Sequence, residues 1–215
     1  MIVPISVNSG TEEYTYFYID DETKHGFLID PGASGSALYE LSREKGWEIE
    51  GILITHGHFD HIGGVGDFVK AWEQDHAGRL IVYAGFLSEK YLTDPYWNLS
   101  RGFGEEVRLE KGGSIVYLMD GEEVSLQNGP LTLRYIHTPG HTEDSGIYLD
   151  EQAGIAFVGD TIFAHGGYGN FRFPGGDLKT LLTSIKTRIL PLPEEVRLYS
   201  GHSEPTTVGH EKAYY

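Results

Sequence analysis

Thr55-His56-Gly57-His58-Phe59-Asp60-His61 follows directly on Gly51-Ile52-Leu53-Ile54, a short apolar run that reads as a strand covered on both faces. Four potential metal ligands fall within six positions. Side chains two apart in extended chain point the same way, so His56 and His58 can face one cation. Asp60 and His61 lie where the chain turns toward the next helix, and can face a second. Imidazole nitrogen and carboxylate oxygen both suit zinc at about 2.0–2.2 Å. Given the histidine and aspartate content of the chain, the spacing H-x-H-x-D-H arises by chance on the order of once in a thousand such sequences.

Around this motif the chain alternates short strands with helices. Strands are expected at 2–7, 14–19, 26–29, 80–83, 124–126, 131–136, 146–149, 155–158 and 196–199. Helices are expected from Ala33 to Lys45, closed by Gly46, from Val65 to Gln74, and from Asp177 to Ile189 with Asp177 as N-cap. The stretch 85–122 lacks a clear period. It reads either as an insertion that walls or covers a site, or as a surface excursion packed by its own aromatics. No linker divides residues 1–215, so one α/β domain of two helix-covered sheets is expected.

Composition narrows the chemistry. There are 215 residues, 40% of them apolar, and 16 basic against 32 acidic side chains give a net charge of −16. Such a field repels nucleic-acid backbones and anionic membranes, leaving a small-molecule substrate as the expected partner. Cysteine is absent. That removes thiolate nucleophiles and Cys-type zinc sites and fits a reducing compartment. The N-terminal Met-Ile-Val-Pro-Ile-Ser-Val is not a signal peptide, and no stretch approaches about 18 uninterrupted apolar residues, so the cytoplasm is the expected location.

More ligand-type residues stand at strand ends: His141 in Thr138-Pro139-Gly140-His141-Thr142, Asp160 in Gly159-Asp160-Thr161-Ile162-Phe163, and His202 in Gly201-His202. Together with Leu28-Ile29-Asp30-Pro31-Gly32 and the 55–64 motif, these elements resemble the metallo-β-lactamase superfamily, and within it the glyoxalase II-like (hydroxyacylglutathione hydrolase-like) enzymes of the short bacterial branch. The resemblance spans residues 28–202 and implies a four-layer αββα sandwich of two mixed β-sheets. It implies that His56, His58 and His141 hold one metal and Asp60, His61 and His202 the other, with Asp160 bridging. The cofactor implied is two Zn2+, with iron or manganese as alternatives. Asp30 resembles the family's buried carboxylate that orients a ligating imidazole; capping the turn at Pro31 is its other role.

Two divalent cations lower the pKa of a held water toward about 7 and polarise a carbonyl, so hydrolysis of a thioester or related small ester is expected, with Asp60 as proton shuttle. The alternative is a mononuclear iron enzyme resembling the persulfide dioxygenases, with His56, His141 and Asp160 as its triad. A β-lactamase is disfavoured by Asp160 and by the missing Cys ligand. A flavodiiron enzyme would place Glu where His58 sits. The loop Gly169-Asn170-Phe171-Arg172-Phe173-Pro174-Gly175-Gly176-Asp177 keeps the family's Pro-Gly-Gly-Asp but not the Arg-Thr-Asp before it. Arg172 is a candidate for binding a substrate carboxylate, Tyr168 for facing the pocket, and His165 for reaching the cleft; surface placement is the other reading of each. Glutathione-binding relatives carry a basic C-terminal helical region, whereas this sequence ends 13 residues after His202, so glutathione is not the expected carrier.

Overall fold

The structure is a computed structural model that describes residues 1–109 and 114–215. The first sheet has six strands in the order of the sequence: β1 (Ile2–Asn8), β2 (Glu12–Ile19), β3 (His25–Ile29), β4 (Glu48–Leu53), β5 (Ile81–Gly85) and β6 (Ile115–Leu118). Its first three strands are antiparallel, and β3 to β6 run parallel. The parallel pairs need crossovers. Helix α1 (Gly35–Lys45) joins β3 to β4, and the one-turn α2 (Phe59–Ile62) with α3 (Val65–Asp75) joins β4 to β5.

The second sheet also has six strands, β7 (Glu123–Ser125), β8 (Thr132–His137), β9 (Gly146–Asp150), β10 (Ile155–Gly159), β11 (Arg197–Ser200) and β12 (Thr206–Thr207). Only β10 and β11 pair in parallel, across a connection that contains α5 (Leu178–Ser184). A five-residue π-turn, Ile185–Ile189, continues α5, and α6 (Val208–Glu211) follows β12.

Three apolar layers hold the four structural layers together. Strand alternation in β2 sends Phe17 and Ile19 outward to Leu38, Val65 and Phe68 under α1 and α3. The same alternation sends Tyr16 and Tyr18 inward, to meet Tyr148, Phe157 and Tyr199 between the sheets. On the far side Leu181, Ile185 and Ile189 cover Ile147, Ala156 and Leu198. Each fully buried Phe, Ile or Leu contributes about 1.5–3 kcal/mol relative to exposure.

The interior is rich in tyrosine, and its hydroxyls reach across it. Tyr16 Oη donates to Ser200 O (2.7 Å) and Tyr18 Oη to Asp150 Oδ2 (2.8 Å), while Tyr148 Oη, from the other sheet, contacts the carbonyls of Ile54 and Tyr83 at 3.1 Å each. A phenol can thus fill the apolar gap and still satisfy its polar end. The layered order is the αββα sandwich of two mixed sheets expected from the sequence.

Several local expectations hold in detail. Gly46 closes α1 in the left-handed region (φ 67°), and Asp177 caps α5, accepting the Thr180 N–H at 2.7 Å. The 85–122 stretch is less of an excursion than its aperiodic sequence suggests. Its later part supplies β6, the edge strand of the first sheet, and α4 (Glu89–Thr93) buries Tyr91 and Leu92. Residues 110–113 of that stretch lie outside the described residues. No helix among the described residues is long and apolar enough to cross a membrane.

Candidate metal centre

The site lies where the C-terminal ends of β4, β10 and β11 meet the β8–β9 loop. The chain leaves β4 through Ile54 and Thr55, passes His56 to His58 in extended form, and enters the single turn of α2, which carries Asp60 and His61. Gly57 is required in that passage. A Cβ there would stand 2.5 Å from Tyr91 Cβ, and its N–H donates to buried Asp144 Oδ2 at 3.0 Å.

The first group is His56, His58 and His141, all buried. His56 Nε2 lies 3.1 Å from His58 Nδ1, His141 Nε2 lies 3.2 Å from His56 Nε2, and His141 Nε2 lies 2.9 Å from His58 Nδ1. A tetrahedral cation bound at about 2.0–2.1 Å would set its nitrogens roughly 3.3 Å apart, so this triangle matches one face of such a site. The outer nitrogens are fixed from behind: His56 Nδ1 contacts Thr55 Oγ1 at 3.2 Å, and His141 Nδ1 contacts Asn170 O at 3.0 Å.

The second group is Asp60, His61 and His202. His202 Nε2 is 3.4 Å from Asp60 Oδ2, and its Nδ1 is held by Glu12 O at 2.5 Å. Thr11 Oγ1 donates to Asp60 Oδ2 at 2.8 Å. Asp160 stands between the groups, with Oδ1 3.4 Å from His61 Nε2 and Oδ2 3.6 Å from His141 Nε2 and 3.5 Å from His202 Nε2. His61 Nε2 and Asp160 Oδ1 are both buried without a hydrogen-bond partner. Two facing polar atoms left unpaired inside a protein are costly, and a shared cation satisfies both. The donor set therefore fits a pair of divalent cations.

Asp30 makes the contacts of an orienting carboxylate. Its Oδ2 lies 3.0 Å from His61 Nδ1 and accepts the Thr55 hydroxyl at 2.5 Å, and its Oδ1 accepts the Thr55 N–H at 2.7 Å. One carboxylate thus joins the end of the motif strand to a ligand in the next turn. Its backbone is left-handed (φ 47°), a region that Asp enters more readily than most residues.

Two buried acids beside the ligand-bearing segments, Glu13 and Asp144, were not named from the sequence. Glu13 Oε1 sits 3.7 Å from His61 Nδ1 without a hydrogen-bond partner. Burial raises its carboxyl well above the usual range; the His61 charge opposes this, and Asp30, Asp60 and Asp160 add to the rise. It carries no motif, but β2 alternation placed it on the face of Phe17 and Ile19, where a charged residue is out of place. Asp144, which grips Gly57, is pushed up to about 6 by burial, partly offset by hydrogen bonds including the one from the Gly57 N–H.

The substrate candidates are placed differently. Arg172 is exposed, with its guanidinium 5.7 Å over the Phe171 ring, and Tyr168 is exposed with its ring 6.4 Å from that of Phe171. Of the two readings of His165, the contacts it makes are those of a surface placement. Its ring pairs with Glu204 at 2.9 Å and faces His210 at 3.4 Å, because a left-handed turn (φ 61°) directs it toward the C-terminal segment.

The two groups differ in proton affinity. Burial, and then the neighbouring imidazoles, hold His56 and His58 well below the ordinary histidine range; burial also lowers His141, with Asp160 opposing. Burial pulls His61 down too, but Asp160 and Asp30 outweigh it and hold the ring well above that range. His202 is likewise raised, by Asp60 and Asp160 against burial. Burial would raise the two ligand carboxyls. Instead His202, His61 and His58 pull Asp60 well below the carboxylate range, and His61 pulls Asp160 to about 2. A cation would meet stronger competition from protons at His61 and His202 than at His56, His58 and His141. As pH falls, the groups with raised pKa take up protons first. In dialysis at stepped pH from 8 to 5, bound metal should therefore fall from two equivalents to one before the second is lost, and simultaneous loss would contradict the asymmetry.

Comparison with known proteins agrees with this geometry. The sequence pattern of the metallo-beta-lactamase superfamily matches residues 10–202. The chain is 34% identical over 206 residues to the probable metallo-hydrolase YqgX of Bacillus subtilis, covering 95% of this chain and 89% of that protein. It is 30% identical over 196 residues to the hydroxyacylglutathione hydrolase GloC of Haemophilus influenzae, covering 89% and 86%. Among solved structures, the BLEG-1 B3 metallo-beta-lactamase superposes with a TM-score of 0.88 at 30% identity, covering 99% of this chain and 97% of that one. TTHA1623, in a di-iron-bound form, superposes with a TM-score of 0.81 at 30% identity, covering 98% and 96%. With its two mixed sheets and its buried histidine–aspartate cluster, the chain belongs to the metallo-beta-lactamase superfamily.

Proposed function

We propose that the protein is a dinuclear metal-dependent hydrolase acting on a thioester or related small ester, working in the cytoplasm with two zinc ions. The observation that carries this reading is the convergence of seven ligand-type side chains from both sheets, with His61 Nε2 and Asp160 Oδ1 facing each other unpaired. His56, His58 and His141 would hold one cation, Asp60, His61 and His202 the other, and Asp160 would bridge. Bound divalent cations supply a water activated near neutral pH and a Lewis acid for the carbonyl oxygen.

The chain's own residues do the rest. Asp30 and Thr55 fix the His61 ring, and Asn170 O fixes His141. Thr11 holds Asp60 through Oδ2, and Asp60 would act as the proton shuttle. In the overall change the water oxygen bonds to the carbonyl carbon, the carbon–sulfur bond breaks, and a carboxylic acid and a thiol leave. A net charge of −16 supports a small-molecule partner over nucleic acid or an anionic membrane.

The likeness to the BLEG-1 B3 metallo-beta-lactamase supports a second reading, a cyclic amide as substrate. One iron ion per chain would instead favour the dioxygenase reading. Both are decided by elemental analysis of the purified protein, followed by a screen of thioesters, lactones, phosphoesters and a β-lactam. Two equivalents of zinc and thioester hydrolysis, lost on chelation and restored by zinc, are expected. One iron with oxygen uptake on a persulfide, or turnover of the β-lactam alone, would overturn the assignment.

A further inference from the structure

The passage from β4 to α2 is tied from behind at every second residue. Thr55 O accepts the Gly146 N–H at 2.8 Å, the Gly57 N–H donates to Asp144 Oδ2 at 3.0 Å, and the Phe59 N–H donates to Asn98 O at 2.9 Å. The residues between these ties, His56 and His58, carry rings of the first group. Alternation in extended chain separates the two tasks, so the ties can fix the backbone without touching a ligand. The outer two ties join backbone to backbone. The middle one depends on a side chain, and therefore on one residue.

That residue, Asp144, is buried and belongs to none of the ligand groups. It stands in the β8–β9 loop, three positions after His141. The loop is braced across both residues. The Gly140 N–H donates to Thr142 O at 2.9 Å, the Thr142 N–H to Ser145 Oγ at 3.1 Å, and the Thr138 N–H to Ser145 O at 2.8 Å. What holds Asp144 therefore also places His141. A buried carboxylate is costly, and a hydrogen bond from a neutral amide offsets only part of that cost, so a residue that merely filled space here would be apolar.

Resting on the reading of a two-cation centre above, we propose that Asp144 is a positioning residue for the first cation group. Its carboxylate clasps the His56–His58 passage of the first sheet to the His141 loop of the second, and sets the nitrogen triangle before a cation arrives. Asn98 holds Phe59 independently, which confines the loss of Asp144 to the residues before it. Asp60, His61 and His202 keep their own supports in Thr11, Asp30 and Glu12. Removing Asp144 therefore weakens one group and spares the other.

The test is a zinc titration of the metal-free protein at pH 8, where the Asp144 carboxyl, pushed up to about 6 by burial, is ionised. Imidazole resonances of protein labelled with nitrogen-15 histidine are followed by NMR. His56, His58 and His141 report the first group, His61 and His202 the second. Asp144→Ala should raise the zinc Kd of the first group about 10- to 100-fold and that of the second less than about 3-fold. Asp144→Asn keeps an oxygen that can accept the Gly57 N–H, and should bring the first group back to within about 3-fold of wild type. Asp144→Ser is one bond too short to reach that amide; it takes the place of the alanine variant if circular dichroism shows alanine unfolded, with the same result expected. Equal weakening of both groups would mean a general loss of packing, and an asparagine variant as weak as alanine would mean a charge effect. Either result, or an unchanged first-group Kd, would overturn the assignment while leaving the two-cation reading standing. Wild-type protein that takes up no zinc at His56, His58 and His141 would overturn that reading, and the assignment with it.

Discussion

His58→Ala should abolish turnover and strip metal from the first group while the protein stays folded. His58 contributes Nδ1 to the nitrogen triangle at 3.1 Å and 2.9 Å from its partners, and no other described side chain stands in for it. Losing a residue that merely supports a ligand costs about 10- to 100-fold in metal affinity, so losing the ligand should exceed 100-fold. The ring sits in a loop and takes no part in the three apolar layers, so secondary structure should survive. Metal analysis and circular dichroism on the same sample check the two halves of this expectation. Full metal occupancy with undiminished activity would remove His58 from the centre.

Asp30→Ala should damage both the site and the fold. Its carboxylate engages the Thr55 N–H, the Thr55 hydroxyl and His61 Nδ1, all buried. Each partner left unpaired costs about 1–3 kcal/mol, and alanine is strained at φ 47° besides. A combined loss of about 4 kcal/mol is a large share of the 5–15 kcal/mol typical of a domain, and should lower Tm by roughly 8–16 °C. Asp30→Asn keeps the shape and tolerates the backbone. It should recover most of the stability while metal affinity at the second group still falls about 10-fold or more. Thermal denaturation and metal titration of the two variants separate the roles. A wild-type Tm in Asp30→Ala would show that these hydrogen bonds carry little weight.

The fold was legible wherever periodicity or punctuation was strong. The run 51–54, the 65–75 helix and Gly46 each follow from local physics, and the motif places four ligand-type side chains by spacing alone. His141, Asp160 and His202 could be singled out as strand-end residues, but their meeting place depends on tertiary structure and was supplied by resemblance. Edge elements were harder. β6 has four residues inside an aperiodic stretch and β12 has two, too short for alternation to show. Glu13 and Asp144 belong to no motif, and their importance comes from burial beside residues distant in sequence. The two readings of His165 could not be separated from sequence, because a left-handed backbone at a non-glycine residue cannot be read from spacing.

The centre draws His56, His58, Asp60 and His61 from the first sheet's connections, and His141, Asp160 and His202 from those of the second. Occupancy is therefore a staple across the gap where the two halves face each other, and metal affinity is also docking energy between them. At a free cation concentration a thousand times Kd, mass action adds about 4 kcal/mol to folding. A chelator would loosen the whole sandwich as well as silence the enzyme, and neither half expressed alone would carry a complete set of ligands.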